Sequence, residues 1–204
     1  MGDMESAMLH ACNAVDGTAK KMYPNLGVGD RFRKLLRDNY TGILEPMAPG
    51  VNLEKTVFPI SISGASGPGG HPDVADILYK IHRCSHGHGD AIPAGYELIP
   101  DTTTEPPRTT MEPGLGANGE GMLRLSDRIM YGMAAVALLT PVNVGQVLQG
   151  SVHLTWTSIA SDIHVRLDNG WWGRAADFAA IAAMDRNRIS VTLDFRNVMP
   201  LPTP

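Results

Sequence analysis

Residues 73–90, Asp73-Val74-Ala75-Asp76-Ile77-Leu78-Tyr79-Lys80-Ile81-His82-Arg83-Cys84-Ser85-His86-Gly87-His88-Gly89-Asp90, decide the fold class. Val74, Ile77, Leu78 and Ile81 recur at i, i+3, i+4 and i+7, the spacing of one buried helix face. Asp73 follows Pro72 and carries a short carboxylate side chain suited to the first turn's N–H groups, so the helix is expected to start there. Gly87 and Gly89 end it.

The flanking sequence supplies further helices. Met4, Ala7, Met8, Ala11, Cys12 and Val15 repeat the pattern after a capping Asp3, and Pro24-Asn25-Leu26-Gly27 breaks that helix. A second helix is expected from near Asp30, with Phe32, Leu35, Leu36 and Tyr40 on its apolar face and Pro46 as its end. A fourth, capped by Ser126 and stopped by Pro141, is apolar nearly all round from Ile129 to Leu139, as in a helix at the centre of a bundle.

Between these lie loop insertions at 47–72 and 101–121. The first holds Thr56–Ile62, expected as a short edge strand because Pro59 cannot donate within a central one. Ser63–Gly70 (SGASGPGG) is flexible by composition, and it lacks the lysine of a phosphate loop. Tyr96–Ile99 reads as a short strand.

The last sixty residues change character. Val152–Thr157, Ile163–Leu167 and Arg188–Phe195 alternate like strands, Asp168-Asn169-Gly170 marks a turn, and Trp172–Met184 suits a short helix. The expected fold is mainly α: a four-to-five-helix bundle over 1–145, with a small α+β extension over 146–204 packed on it.

Composition agrees with a globular chain. Of 204 residues 43% are hydrophobic and 19% charged, which excludes wholesale disorder. Two cysteines, Cys12 and Cys84, are too few for a disulfide scaffold and suit a reducing compartment. The first residues show no basic region followed by an apolar run, and Ile129–Leu139 falls far short of the ~20 residues a membrane span needs. A cytoplasmic location with no membrane role is therefore expected.

The net charge of −4 argues against non-specific duplex binding. Yet Lys20, Lys21, Arg31, Arg33, Lys34 and Arg37 gather in one stretch against Asp30 alone. That stretch reads either as a solvated helix face or as a phosphate-facing patch.

The chemistry concentrates where glycines release the third helix. Arginine grips phosphate with a planar fork at any working pH, and histidine moves a proton near neutrality. Arg83 and His88 together suffice to cleave a ribose-phosphate backbone: the histidine handles the 2′-hydroxyl or leaving-group proton while the guanidinium stabilises charge on phosphorus. His82, His86, Asp90 and Asp16 are accessory candidates.

Rival readings stay open. Arg83 pairs with Asp76 or Asp90 as a surface residue and His88 caps a helix end, or His82 and His86 at i, i+4 join His88 or Asp90 as a zinc-like set without any HExxH glutamate. Cys84, beside Arg83, is a candidate reactive thiol. His10 and Asn13 either line a cleft with Asp16 or are solvated, His71 is structural, and Trp156, Trp171 and Trp172 are packing aromatics.

Arg83, four residues, then His88, at the end of an amphipathic helix in a helical domain, resembles the R-x4-6-H motif of the HEPN superfamily. His88-Gly89-Asp90 is similar to the short sequence that often closes that motif. The likeness spans residues 1–145 by helix order and is specific at six positions. It implies a metal-independent endoribonuclease without cofactors, acting as a homodimer whose two motifs face each other. In it Arg83 binds the RNA phosphate and His88 is the general acid/base, with the basic stretch 20–37 as RNA-binding surface. A toxin or defence role, with an antitoxin or regulatory protein as partner, is implied by the same resemblance. The alternative is a catalytically silent binding or regulatory module. The net acidity, the sizeable extension and Cys84, where many members carry a polar residue, motivate that alternative.

Overall fold

The computed structural model describes residues 4–47, 52–58, 60, 62–85, 96–100, 110–112, 122–150, 152–158 and 162–184. It is mainly helical, with a small sheet region. Helix α1 (Met4–Met22) buries Met8, Ala11, Cys12, Val15 and Ala19, and α2 (Val28–Asp38) buries Phe32, Leu35 and Leu36, the stripes the sequence periodicity marks.

The second helix does not stop before Pro46. It passes through a π-helical segment, Tyr40–Leu44, into a short turn, α3 (Glu45–Met47), with Pro46 buried. A regular helix would drive the proline ring against the carbonyl of Gly42; the widened turn lies immediately ahead of it. Helix α5 (Arg128–Leu139) crosses this segment closely at Gly132. A Cβ there would meet Leu44 Cδ2 at 3.0 Å and Met47 Cβ at 3.3 Å, so glycine sets the approach.

The connection expected as an edge strand over Thr56–Ile62 holds only an isolated bridge at Val57 among the described residues. Phe58 is buried and spends its N–H on Pro72 O at 2.9 Å, a loop contact rather than a ladder. The third helix opens as α4 (Val74–Ile77), with Asp73 accepting from Asp76 N–H at 2.9 Å, the cap expected from sequence.

Strands β1 (Tyr96–Ile99), β2 (Thr110–Glu112) and β3 (Met122–Ser126) form a sheet in the order β1-β3-β2. β3 pairs parallel to β1 and antiparallel to β2. Two expectations are corrected by this sheet. Residues 101–121 are not all loop, since they contain β2. Ser126 ends a strand instead of capping α5: the N-cap position falls on Asp127, whose N–H goes to Ile99 O at 2.9 Å, while Ser126 Oγ accepts from Arg128 N–H at 3.3 Å. Leu123 and Leu125 are buried and Arg124 pairs with Glu97 across the parallel strands, an alternation too short to read against the adjoining helix.

In the C-terminal region β4 (Leu154–Thr157) and β5 (His164–Leu167) form an antiparallel pair, followed by α6 (Ala175–Ala183). The expected strand at Arg188–Phe195 lies outside the described residues. Trp156 joins this region to the rest: its indole N–H donates to Pro46 O at 3.0 Å, and its ring meets Phe178 edge-on at 5.5 Å. The end of α5 is closed by residues C-terminal to it. Thr140 Oγ1 adds a second bond to Val136 O, while Asn143 Nδ2 donates to Ala137 O and Gly173 N–H to Leu138 O, satisfying two carbonyls beyond the reach of the helix's own N–H groups. Among the described residues no helix is long and apolar enough to cross a membrane.

Candidate functional site

The helix carrying Arg83 is not regular. After α4 it continues as a π-helical segment, Leu78–Ser85. The i to i+5 repeat of such a segment brings Tyr79 and Cys84 to one side; burial first and the neighbouring Cys84 thiol second raise the Tyr79 hydroxyl above its ordinary pKa. π-helical turns recur at functional sites because they re-aim side chains that a 3.6-residue period would point elsewhere.

Arg83 is aimed at α1. Its Nη2 and Nε lie 2.9 and 3.3 Å from Asp16 Oδ2. The other carboxylate oxygen, Oδ1, accepts from Arg31 Nη2 at 3.2 Å and Nε at 3.4 Å. One aspartate thus holds two arginines side-on, and its hydrogen bond raises the Arg83 pKa further. The three side chains are partly accessible, 28% for Arg83 and 15% for each of Asp16 and Arg31. The surface-residue reading is corrected in its partner: Arg83 pairs with Asp16, not Asp76. His86, His88 and Asp90 lie outside the described residues.

His82 points the other way. It is buried, with Nε2 at 2.5 Å from the Tyr96 hydroxyl and its ring edge-on to that tyrosine. Tyr96 takes up the Nε2 side of His82, and the other members of the metal set, His86, His88 and Asp90, lie outside the described residues. Among the described residues no group of three His, Cys, Asp or Glu is placed to hold a metal ion. Cys12 is fully buried behind Arg83; burial, opposed by the Arg83 charge, pushes its thiol up to about 12.

The basic stretch is engaged within the chain. Arg37 forks onto Asp73 at 2.7 and 3.0 Å and reaches Asp76 at 3.1 Å; Arg33 meets Asp30 at 2.9 Å and Asp76 at 3.5 Å. Lys34 pairs with Asp38 at 2.9 Å, Lys21 donates to Asn143 at 3.0 Å, and Lys20 is exposed. Sequence proximity showed Asp30 and Asp38 beside these cations, but not Asp16, Asp73 and Asp76, which arrive from other helices.

Asp76 is the buried centre of that network. Besides the arginines it accepts from Ser66 N–H and Gly67 N–H, both at 2.9 Å, and from Ser66 Oγ at 3.1 Å. The SGASGPGG stretch, expected to be flexible, is therefore pinned to α4. Gly67 is needed for the fit, since a Cβ there would lie 2.4 Å from His71 O. The missed signal was the Asp73/Asp76 pair at i, i+3, which reads locally as a cap alone.

The remaining candidates separate cleanly. His10 and Asn13 are exposed on α1. Trp156 is core, Trp172 donates to Asn169 at 3.1 Å, and Trp171 lies under the Arg174 guanidinium at 4.9 Å, so all three are held by packing or local bonds.

Fold and site together define a mainly helical domain with an arginine–aspartate network where α1, α2 and the third helix meet. The Rv1289 family model matches residues 1–199, and the chain belongs to that family. It is 40% identical over 189 residues to an uncharacterized protein of Mycobacterium tuberculosis strain H37Rv, covering 93% of this chain and 84% of the relative. An uncharacterized protein of Mycobacterium bovis is similar to the same extent. No solved structure matches.

Proposed function

We propose that the chain is a metal-independent endoribonuclease of HEPN type that cuts single-stranded RNA with Arg83 and His88. One observation supports this above others: Asp16 takes the Nε and Nη2 side of Arg83, leaving Nη1 outside the pair on a side chain that is 28% exposed. A guanidinium already fixed in direction loses little freedom on meeting a phosphate oxygen.

His88 removes the proton of the 2′-hydroxyl, O2′ attacks phosphorus, and the P–O5′ bond breaks. The departing O5′ takes a proton from a second histidine, supplied by the same motif of a facing copy in a homodimer. The product is a 2′,3′-cyclic phosphate and a 5′-hydroxyl, with Arg83 countering charge on the phosphoryl oxygens. A toxin or defence role, checked by an antitoxin or regulatory protein, follows from the same reading.

A second reading is a catalytically silent binding module. It is favoured by the balance of Arg31, Arg33, Arg37 and Arg83 against Asp16, Asp30, Asp73 and Asp76, which leaves the basic stretch without the cation excess that general RNA binding uses.

The test is a time course on end-labelled single-stranded RNA with excess EDTA. Wild type should leave cyclic phosphate ends, and His88→Ala and Arg83→Ala should each lose about 10²- to 10⁴-fold in rate. Cleavage unchanged in His88→Ala overturns the nuclease; no turnover together with a stoichiometric co-purifying protein supports the module.

A further inference from the structure

We propose that Arg31 is a second phosphate-gripping residue, forming with Arg83 a two-guanidinium clamp braced on Asp16 that takes a phosphodiester group of single-stranded RNA. The inference rests on RNA being the ligand of Arg83 and adds what nothing in the R-x4-6-H motif specifies, a contribution from α2.

The two arginines meet the aspartate in the same way. Each uses Nε and Nη2, each takes one oxygen, and among the described residues neither Nη1 has an acceptor. The carboxylate is thereby saturated by the two arginines, and both are held in direction without being neutralised as a pair.

Local charge separates this corner from the rest of the network. Arg33 and Arg37 share Asp30, Asp73 and the fully buried Asp76, a net negative group. Arg31 and Arg83 share Asp16 alone, a net positive group whose members keep partial access to solvent. An anion approaching this face is repelled by the first group and attracted by the second. Two forks converging on one acid suit a tetrahedral phosphodiester, which offers planar N–H donors two non-bridging oxygens sharing one negative charge. The clamp also resolves a difficulty of the basic stretch: among the described residues, Arg31 is the one of its arginines that shares an acid with Arg83.

The experiment measures equilibrium binding of a 2′-O-methyl single-stranded RNA, which has no 2′-hydroxyl to attack, across a salt series. Arg31→Gln keeps an N–H for Asp16 but removes the charge. It should weaken binding about tenfold and lower the log–log salt slope by about 0.7, the loss of one phosphate contact on a single strand. Arg83→Gln should do the same, Arg31→Lys should keep the slope, and Arg174→Gln, whose partner is Asp177, should change nothing. Melting curves confirm that each variant is folded, and Arg31→Met, which also removes the charge and should lower the slope equally, carries the comparison if Arg31→Gln is not.

If Arg31→Gln binds with the wild-type slope, Arg31 only braces Asp16 and the clamp is overturned, even where unmodified RNA is cut. An Arg31-dependent slope with no cleavage of unmodified RNA keeps the clamp and removes the nuclease. Wild type that does not bind the RNA removes both.

Discussion

Arg83 Nη2 lies 2.9 Å from Asp16 Oδ2, joining positions 67 residues apart and tying the third helix to α1. Removing the acid leaves two guanidinium groups facing each other in a partly buried corner. Asp16→Ala should therefore cost about 2–3 kcal/mol, between the values for exposed and buried pairs. Asp177→Ala, which breaks the exposed Arg174 pair, should cost under about 0.5 kcal/mol. Urea midpoints of the two variants check this, and equal midpoints would contradict it.

The buried Asp76 carries a heavier load. Asp76→Ala strands Ser66 N–H and Gly67 N–H and takes one of two carboxylates from Arg33 and from Arg37, and should cost about 3–5 kcal/mol. Gly67→Ala should act in the same direction, because its new Cβ would overlap the His71 carbonyl and lift the loop from the acid. Denaturant curves for both variants should shift to lower midpoints; a neutral Gly67→Ala would show that the loop has room to move.

The two thiols should differ in access. Cys12 is fully buried while Cys84 is partly exposed beside Tyr79. A water-soluble disulfide reagent should titrate one thiol in the native chain and two in denaturant. Cys84→Ser should abolish the native reaction and Cys12→Ser should leave it.

Burial of Cys12 also gives stability a slope with pH. Its folded pKa, about 12, lies above the ordinary 9.0, so above pH 9 the unfolded chain releases this proton before the folded one does. Stability is then fully present below pH 9 and falls as pH rises towards 12, by at most about 1.4 kcal/mol per pH unit for one group. In Cys12→Ala the fall between pH 9 and 10 should be shallower than in wild type. The comparison is of slopes, because the substitution also leaves a cavity.

Much of the framework was legible because it is periodic. The stripes of α1 and α2, the nearly all-apolar α5 and the alternation in β4 and β5 each follow from one element's own residues. What local reading could not supply is pairing. Asp16 and Arg83 were both singled out as candidates, yet nothing within either helix says that they meet. The π-helical turns were equally hidden, since Leu78–Ser85 has good helix-forming residues and its widening shows only in which side chains share a face. β3 was lost for a different reason: five residues leading straight into a helix give a period of two little room to declare itself.

The hydrogen bond from Gly173 to the last turn of α5, with Trp156 reaching Pro46, has a bearing on how the chain comes apart. Neither side of residue 145 is finished alone: one lacks a cover for Leu138 O, the other lacks the wall against which Trp156 and Phe178 rest. The two should melt as one cooperative unit, giving a single calorimetric transition whose enthalpy equals its van't Hoff value.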